Sequence, residues 1–206
     1  AQRIETAMCD LAMLNVKFYV QLGQRPDPRG VRLSGSDQRV AFDRTGVDLI
    51  EFMLSPNPGE PLKPLARIAS GGESARLLLA MKSILSSVDS VPTLVFDEID
   101  VGVGGRSGQV VGEKLWGISD AHQVLCITHL PQIAAFGDQH FAIAKQVANG
   151  RTETSVRPLS DDERIAEIAA MLDGTPISEA SRRSAAEMLE RAANHKLSTI
   201  NERTRG

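Results

Sequence analysis

The chain has 206 residues, of which 42% are hydrophobic and 24% are charged, and its formal net charge is -3. That length and composition suit one soluble, well-packed α/β domain. The net negative charge excludes a polycationic nucleic-acid binder, and no apolar run approaches the roughly 20 residues that span a bilayer. Cys9 and Cys126 favour free thiols over a disulfide. We therefore expect a cytoplasmic protein.

The first part of the chain shows one short helical pattern followed by strand patterns. Residues 1–15 place apolar side chains at helical spacing over about two heptads, too short to establish a coiled coil. Because this pattern is already under way at residue 1, we expect a piece of a longer polypeptide. Residues 16–22 predict a strand. Residues 39–42 and 47–54 predict two further strands, joined by a hairpin turn at 43–46.

Beyond a proline-rich connector over residues 56–64, the pattern alternates between helices and apolar strands. The predicted segments are a helix over 73–88, a strand over 93–97, a helix over 107–119, a strand over 123–128, a short helix from Pro131 and a strand over 140–147. Such alternation indicates a mostly parallel sheet flanked by helices on both faces, an α/β fold. The last predicted segments are an edge strand over 152–158 and helices over 161–172 and 178–193.

The motif Ser70-Gly71-Gly72-Glu73 precedes the first of these helices. A serine N-cap with a glutamate three residues later is a capping box, which needs no ligand. Ser160–Glu163 has the same frame, but its middle residues are acidic, as the helix dipole favours. Glycine in a helix costs up to about 1 kcal/mol relative to alanine. Two glycines suit the close approach of a phosphate to bare backbone amides, and we favour that reading over simple capping.

The predicted strand over 93–97 ends in Asp97-Glu98, and Asp100 follows. Adjacent carboxylates repel one another unless a cation lies between them, and ligands of parallel sheets bind beyond the carboxyl ends of the strands. Asp97 is the candidate Mg2+ ligand, and Glu98 is the candidate general base that positions the attacking water. The alternative is an acidic strand end that only faces solvent.

His129 follows the next predicted strand and would share that edge of the sheet if the two strands are neighbours. It could bind a terminal phosphate or hold the water-positioning carboxylate, although a lone histidine is more often structural. No phosphate loop of the form G-x-x-x-x-G-K-[ST] occurs in the 206 residues, and the glycine-rich turn after Asp100 lacks its lysine.

These motifs resemble those of ABC-type ATPases. Ser70–Glu73 is similar to their signature motif, Leu94–Glu98 to the Walker B strand with its catalytic glutamate, Asp100 to the D-loop position and His129 to the switch histidine. More narrowly, residues 57–80, 92–105 and 128–141 are very similar to the bacterial RecN family of SMC-like DNA-repair ATPases.

The resemblance implies the C-terminal lobe of a P-loop NTPase head, whose phosphate-loop half precedes a long coiled coil in the same polypeptide. Residues 1–15 would be the root of the returning coiled-coil helix, and residues 16–206 would form the lobe itself. ATP and Mg2+ would lie between two heads of a homodimer. The resemblance implies that three residues act on the nucleotide of their own head: Asp97, Glu98 and His129. The nucleotide of the partner head would be contacted by Ser70, Gly71, Gly72 and Glu73. Asp100 would lie at the head junction.

The resemblance also implies DNA as a partner, a nucleoid-associated location in the bacterial cytoplasm and no membrane contact. Without a Walker A loop, this chain alone is expected to be inactive as an ATPase. One alternative is the motor lobe of another ABC-type ATPase, such as a transporter. Another is a non-catalytic scaffold lobe that binds DNA or a partner, for which the only charge signal is a modestly basic tail over residues 182–205.

Overall fold

The structure is a computed structural model that describes residues 1–55, 57, 59–67, 71–86, 89–148 and 151–205. It divides into two compact units, Ala1–Ile84 and Leu85–Gly206. The elements of the first unit are α1 (Gln2–Asp10), β1 (Lys17–Gly23), β2 (Pro26–Arg32), β3 (Arg39–Val40), β4 (Leu49–Ser55), β5 (Lys63–Pro64), a 3-10 helix (Leu65–Arg67) and α2 (Gly71–Leu85), which reaches the boundary.

The second unit alternates strands and helices before it ends in a helical pair. Its elements are β6 (Thr93–Phe96), α3 (Gly105–Ile118), β7 (Gln123–Cys126), α4 (Pro131–Ala134), β8 (Phe141–Ala148), β9 (Arg151–Pro158), α5 (Asp161–Asp173) and α6 (Glu179–Arg205). Among the described helices of both units, none has the length and apolarity to cross a membrane.

The first unit is built on an antiparallel sheet in the order β1-β4-β5. Strands β1 and β4 pair over their whole length, from Lys17 opposite Ser55 to Gly23 opposite Leu49. Phe18 and Leu54 face each other in this register, and both are buried. Burial of such a pair fixes the register, because a slip by one residue would turn both side chains to the other face.

The helix predicted over residues 1–15 ends earlier, at Asp10. Ala12 and Asn15 have φ values of 61° and 71°, in the left-handed region that an α-helix of L-residues does not tolerate. Leu11 is still buried, whereas Leu14 is 68% exposed. The apolar spacing therefore identified the buried face but not the end of the helix.

The hairpin predicted between residues 39–42 and 47–54 is wrong in its pairing. The turn itself forms, since the N–H groups of Asp43 and Gly46 donate to each other's carbonyl oxygens at 3.0 and 3.1 Å. However, β3 pairs with β2, and β4 pairs with β1 and β5. Burial favours this outcome, because the pairing of β4 with β1 places Leu54 opposite Phe18 and both side chains are buried.

The second unit contains the parallel pair that the sequence predicts. β6 and β7 run side by side from Thr93 opposite Gln123 to Phe96 opposite Cys126. α3 lies between them in sequence and provides the crossover that parallel strands require. Within the described residues the helices cover one face only, because Leu94 and Phe96 are buried while Val95 and Leu125 are 60% and 49% exposed.

Strand β8 does not extend this parallel pair, contrary to the prediction of a mostly parallel sheet. It pairs antiparallel with β9 over eight residues, from Phe141 opposite Pro158 to Ala148 opposite Arg151. The predicted edge strand is thus the second arm of a hairpin. Strands that are close in sequence pair with little loss of loop entropy, which favours this arrangement. The α/β class itself is confirmed.

Helices α3 to α6 enclose the core of the second unit. Its buried members are Trp116, Ala134, Ala135, Phe136, Ile168, Ala169, Ala185 and Ala192. α4 lies close to α3 at Gly112, where a Cβ atom would stand 3.1 Å from the Gln132 carbonyl oxygen of α4 and 2.6 Å from the ring of Phe136, which follows α4. Arg164 of α5 donates to the carbonyl oxygens of Ala134, Ala135 and Gly137 at 3.3, 3.0 and 2.5 Å. The guanidinium thereby caps the end of α4.

The helical pair at the end of the chain is more extensive than the sequence pattern predicts. The frame at Ser160 is confirmed as a capping box, since Ser160 and Glu163 bond to each other's backbone N–H groups. α6 continues to Arg205 rather than to residue 193. In this extension, Lys196 pairs with Asp138 at 2.7 Å and Arg203 pairs with Asp120. The Trp116 ring lies 5.7 Å from the Lys196 ammonium.

Candidate functional site

The candidate site lies at the carboxyl ends of β6 and β7. The pairing continues one residue beyond the strands, where the Ile127 N–H donates to the Phe96 carbonyl oxygen at 2.9 Å. The segments that follow, residues 97–100 and 128–130, therefore leave the sheet next to each other. The expectation that the two strands are neighbours, with their polar ends at one edge, is confirmed.

Asp97 and Glu98 are both exposed at this edge. The Asp97 Oδ1 atom accepts the Glu98 N–H at 2.9 Å. Glu98 has a φ of 59°, a left-handed conformation that is uncommon for a residue other than glycine. Such backbone strain is typical of functional sites and costs about 1–3 kcal/mol. The turn presents two neighbouring carboxylates to the solvent.

These carboxylates fit the needs of a magnesium ion. In the part of the chain that the structure describes, no three His, Cys, Asp or Glu side chains converge on one point. Mg2+ does not require such a cage, since it is usually held by one or two carboxylates together with waters and substrate phosphates. Asp97, exposed at the strand end, is suited to that role.

Asp100 is buried, with 4% of its surface exposed. Its Oδ2 atom accepts the Thr128 hydroxyl at 2.6 Å and the His129 N–H at 2.9 Å. The Thr128 Oγ1 atom in turn accepts the Leu130 N–H at 3.0 Å. The carboxylate thus ties the turn after β6 to the segment after β7.

His129 has its backbone fixed by these bonds while its side chain is 74% exposed. Its Nδ1 atom lies 3.0 Å from the same Oδ2 of Asp100, an ion-pair distance when the ring is protonated. The imidazole is therefore held at one edge and open to solvent over most of its surface. This arrangement can present a hydrogen-bonding group to a ligand above the strand ends.

Cys126, the last residue of β7, shows the electrostatic character of the edge. Burial raises the pKa of its thiol to about 12, and the negative charges of Asp100 and Asp97 add to the rise. The thiol is therefore neutral at physiological pH and is no nucleophile. Of these causes, only the negative charges of Asp100 and Asp97 favour a bound cation, because burial disfavours a charge of either sign.

The candidate signature residues belong to the first unit. Ser70 lies outside the described residues. Gly71, Gly72 and Glu73 form the first turn of α2, in which Gly72 is buried and Gly71 is exposed. The helix thus begins two residues earlier than the predicted position 73.

Sequence reasoning missed Thr128, whose hydroxyl links Asp100 to the Leu130 N–H. A signal was available, because threonine at a strand end commonly accepts a hydrogen bond from the backbone two residues on. That signal gives the local bond to Leu130. It does not give the bond to Asp100, which depends on how the two loops lie after neighbouring strands.

No family model matches the chain. The chain is 42% identical to DNA repair protein RecN of Treponema pallidum over 94% of its own residues. It is 49% identical to RecN of Bacillus subtilis over 75% and 44% identical to RecN of Vibrio cholerae over 90%. The chain spans only 27%, 32% and 31% of the length of the B. subtilis, T. pallidum and V. cholerae proteins.

Among solved structures, the chain is similar to the Smc head domain of Pyrococcus yayanosii, solved with a coiled coil and joint. The TM-score is 0.51 at 20% sequence identity, and the match covers 94% of this chain and 29% of the Pyrococcus chain. The fold is accordingly similar to part of the Smc head domain. Over the part that it spans, the chain belongs to the RecN family.

Proposed function

We propose that this chain is the C-terminal lobe of an ATPase head in an SMC-like protein of DNA double-strand-break repair. One observation carries the proposal. Asp97 and Glu98 lie at the same sheet edge as His129, whose ring is held by the buried Asp100. The chain that carries them is 42% identical to RecN of Treponema pallidum. This is the set of groups that phosphoryl transfer to water requires: a metal ligand, a water-positioning base and a donor for the developing phosphate charge.

Each residue has a role that follows from its position. Asp97 would hold Mg2+, which neutralises charge on the phosphates of ATP when it is bound. Glu98, one residue further along an exposed turn, accepts the proton of the attacking water. In its doubly protonated form, with Nδ1 held by Asp100, His129 donates a hydrogen bond from Nε2 to the terminal phosphate and stabilises the charge that develops there.

The second set of residues acts on the nucleotide of another copy. Ser70, Gly71, Gly72 and Glu73 contact the ATP held by a partner head, so that ATP joins two heads into a homodimer. The start of α2 at Gly71 supports this role, because the first N–H groups of a helix have no partners within it and attract phosphate. The turn that begins at Asp100 lies at the head junction, where Val101 is 52% exposed.

The phosphate-loop half comes from the N-terminal part of the same polypeptide. The β6–β7 pair supports this proposal, because parallel sheets are covered on both faces and this pair has only two strands in the described residues. The uncovered face carries Val95, Leu125 and Ile127, which are 60%, 49% and 52% exposed.

Residues 1–15 lead into the lobe from a coiled-coil arm. DNA is bound by the assembled protein in the bacterial cytoplasm, at the nucleoid.

The experiment is complementation. We expect the 206-residue chain alone to hydrolyse no ATP above a buffer control, and addition of the N-terminal half of the parent protein to restore hydrolysis. A Glu153→Gln chain, altered at an exposed carboxylate of β9, is the matched control for a Glu98→Gln chain. Its hydrolysis should be restored to the same rate as that of the unaltered chain. Hydrolysis by the isolated chain at the rate of the complemented one would refute the division of labour.

The non-catalytic alternative is less well supported. It depends on the basic tail for contact with DNA, yet Lys196 and Arg203 of that tail are paired with Asp138 and Asp120. A titration of this chain with duplex DNA at low salt distinguishes the two readings. Affinity that falls steeply with added salt would favour the scaffold reading.

A further inference from the structure

We infer that Asp100 is a positioning residue for His129. The Asp100 carboxylate keeps one ring proton on Nδ1, so that Nε2 is the nitrogen that faces the nucleotide and donates to it when the ring takes up its second proton. The role toward the nucleotide depends on the function proposed above. The position of the ring proton does not depend on that function, and it can be measured on this chain without ATP.

Asp100 first fixes the backbone that carries the histidine. Its Oδ2 atom accepts both the Thr128 hydroxyl and the His129 N–H, at 2.6 and 2.9 Å. With only 4% of the residue exposed, water competes little for that oxygen. A buried carboxylate is tolerated only when its lone pairs are used, so the charge and the two donors hold one another in place.

The ring is then oriented by the same oxygen. Nδ1 of His129 lies 3.0 Å from Oδ2 of Asp100. An unprotonated Nδ1 would direct its lone pair at a negatively charged oxygen, which is repulsive, whereas a protonated Nδ1 is attracted. The proton of the neutral ring therefore belongs on Nδ1, because the partner of one ring nitrogen decides the state of the other.

The oxygen that performs this role is itself anchored. Asp100 follows Ile99, which is fully buried, and its carbonyl oxygen accepts the Val103 N–H at 3.0 Å in the next turn. The carboxylate is thus part of the packed interior, while the histidine ring is 74% exposed. A rigid group supports a ligand-facing one, and Nε2 is the ring nitrogen that remains for a ligand.

The test is a long-range proton–nitrogen NMR spectrum of the histidine rings in the 206-residue chain at pH 8. The chain has four histidines, and the signals missing from a His129→Gln chain assign those of His129. We expect Nδ1 of His129 to appear as the protonated nitrogen and Nε2 as the bare one. A wild-type spectrum with the proton on Nε2 would overturn the inference, whatever the variants do.

Two variants separate positioning from packing. Asp100→Leu has nearly the same shape but no acceptor, so we expect the His129 proton to move to Nε2. Asp100→Asn retains an oxygen, so we expect it to preserve the wild-type tautomer. If Asp100→Leu is too poorly folded for NMR, the wild-type spectrum alone still decides. A folded Asp100→Leu chain with the proton still on Nδ1 would contradict the inference.

The same variants, assayed in the complemented ATPase, test whether the position of the His129 ring matters for hydrolysis. A misplaced His129 should lower kcat by about 10-fold or more while KM for ATP changes little, because ring placement matters in the transition state. Asp100→Asn should recover most of the loss. If Asp100→Leu shifts the tautomer but leaves kcat unchanged, Asp100 has no role in positioning His129 for the reaction. If the complemented wild-type protein is itself inactive, the result counts against the proposed function instead.

Discussion

The backbone at Glu98, the residue that we propose as the catalytic base, adopts a strained conformation. Its φ of 59° lies in the left-handed region, and its N–H is held by the neighbouring Asp97 carboxylate at 2.9 Å. The conformation turns two successive carboxylates out of the strand at its end. A glutamate there is less stable than a glycine would be, which is consistent with a residue retained for its side chain.

This strain gives a prediction about stability. Glu98→Gly should raise the free energy of unfolding of the chain relative to Glu98→Ala by up to about 1 kcal/mol, because only glycine adopts a positive φ without strain. Urea denaturation of the two variants measures the difference. Alanine is the matched control, since both changes remove the carboxylate. Equal or lower stability of the glycine variant would show that the left-handed backbone carries no strain.

Strand pairing shows where sequence reasoning succeeds and where it fails at the scale of elements. Local signals were reliable, since the capping box at Ser160 and the turn at Asp43–Gly46 both form. The pairing of β4 with β1 instead of β3 was not predictable, because it depends on which pairing buries Phe18 and Leu54. The end of α1 was also missed, since left-handed residues such as Ala12 leave no mark on apolar spacing.

The candidate site divides in the same way. That polar residues would follow neighbouring strand ends was predictable from the parallel pattern of residues 93–97 and 123–128, and β6 and β7 are neighbours. The bonds from Asp100 to Thr128 and His129 were not predictable, because they join two loops that are 28 and 29 residues apart in the chain. Loop contacts of this kind depend on the packing of residues that are far apart in the chain.

The contact between α3 and α4 gives a prediction with an internal control. Gly112→Ala should lower the free energy of unfolding by about 1–3 kcal/mol, because the added Cβ would stand 2.6 Å from the Phe136 ring. Gly117→Ala lies on the same helix with nothing within 4 Å of its Cβ. That change should raise stability by up to about 1 kcal/mol through helix propensity.

Urea denaturation of both variants tests the packing of α4 on α3. The opposite signs expected for two identical substitutions remove any general effect of the glycine-to-alanine change. A stabilising effect at Gly112 equal to that at Gly117 would show that α4 does not pack closely there. Since α4 begins at Pro131, two residues after His129, the Gly112 variant also reports on support for the histidine segment.

For the whole molecule, the function that we propose has the chain supply one side of a reaction centre, with the rest coming from other parts of the parent protein. The chain contributes Asp97, Glu98 and His129 at one sheet edge and a glycine-rich helix start at Gly71 in the other unit. It has no phosphate loop, and it matches about 30% of the length of its RecN relatives. Under the proposed function, hydrolysis would therefore depend on assembly.

The most direct measurement is ATP turnover and head association for the parent protein with Glu98→Gln. The amide keeps the size of the side chain but cannot accept a proton from water, so hydrolysis should fall by about 100- to 10,000-fold. ATP should still join the heads, and the variant should elute as an ATP-dependent dimer in size-exclusion chromatography. Hydrolysis at the wild-type rate by a Glu98→Gln protein would contradict the assignment of the catalytic base and, with it, the site proposed at this sheet edge.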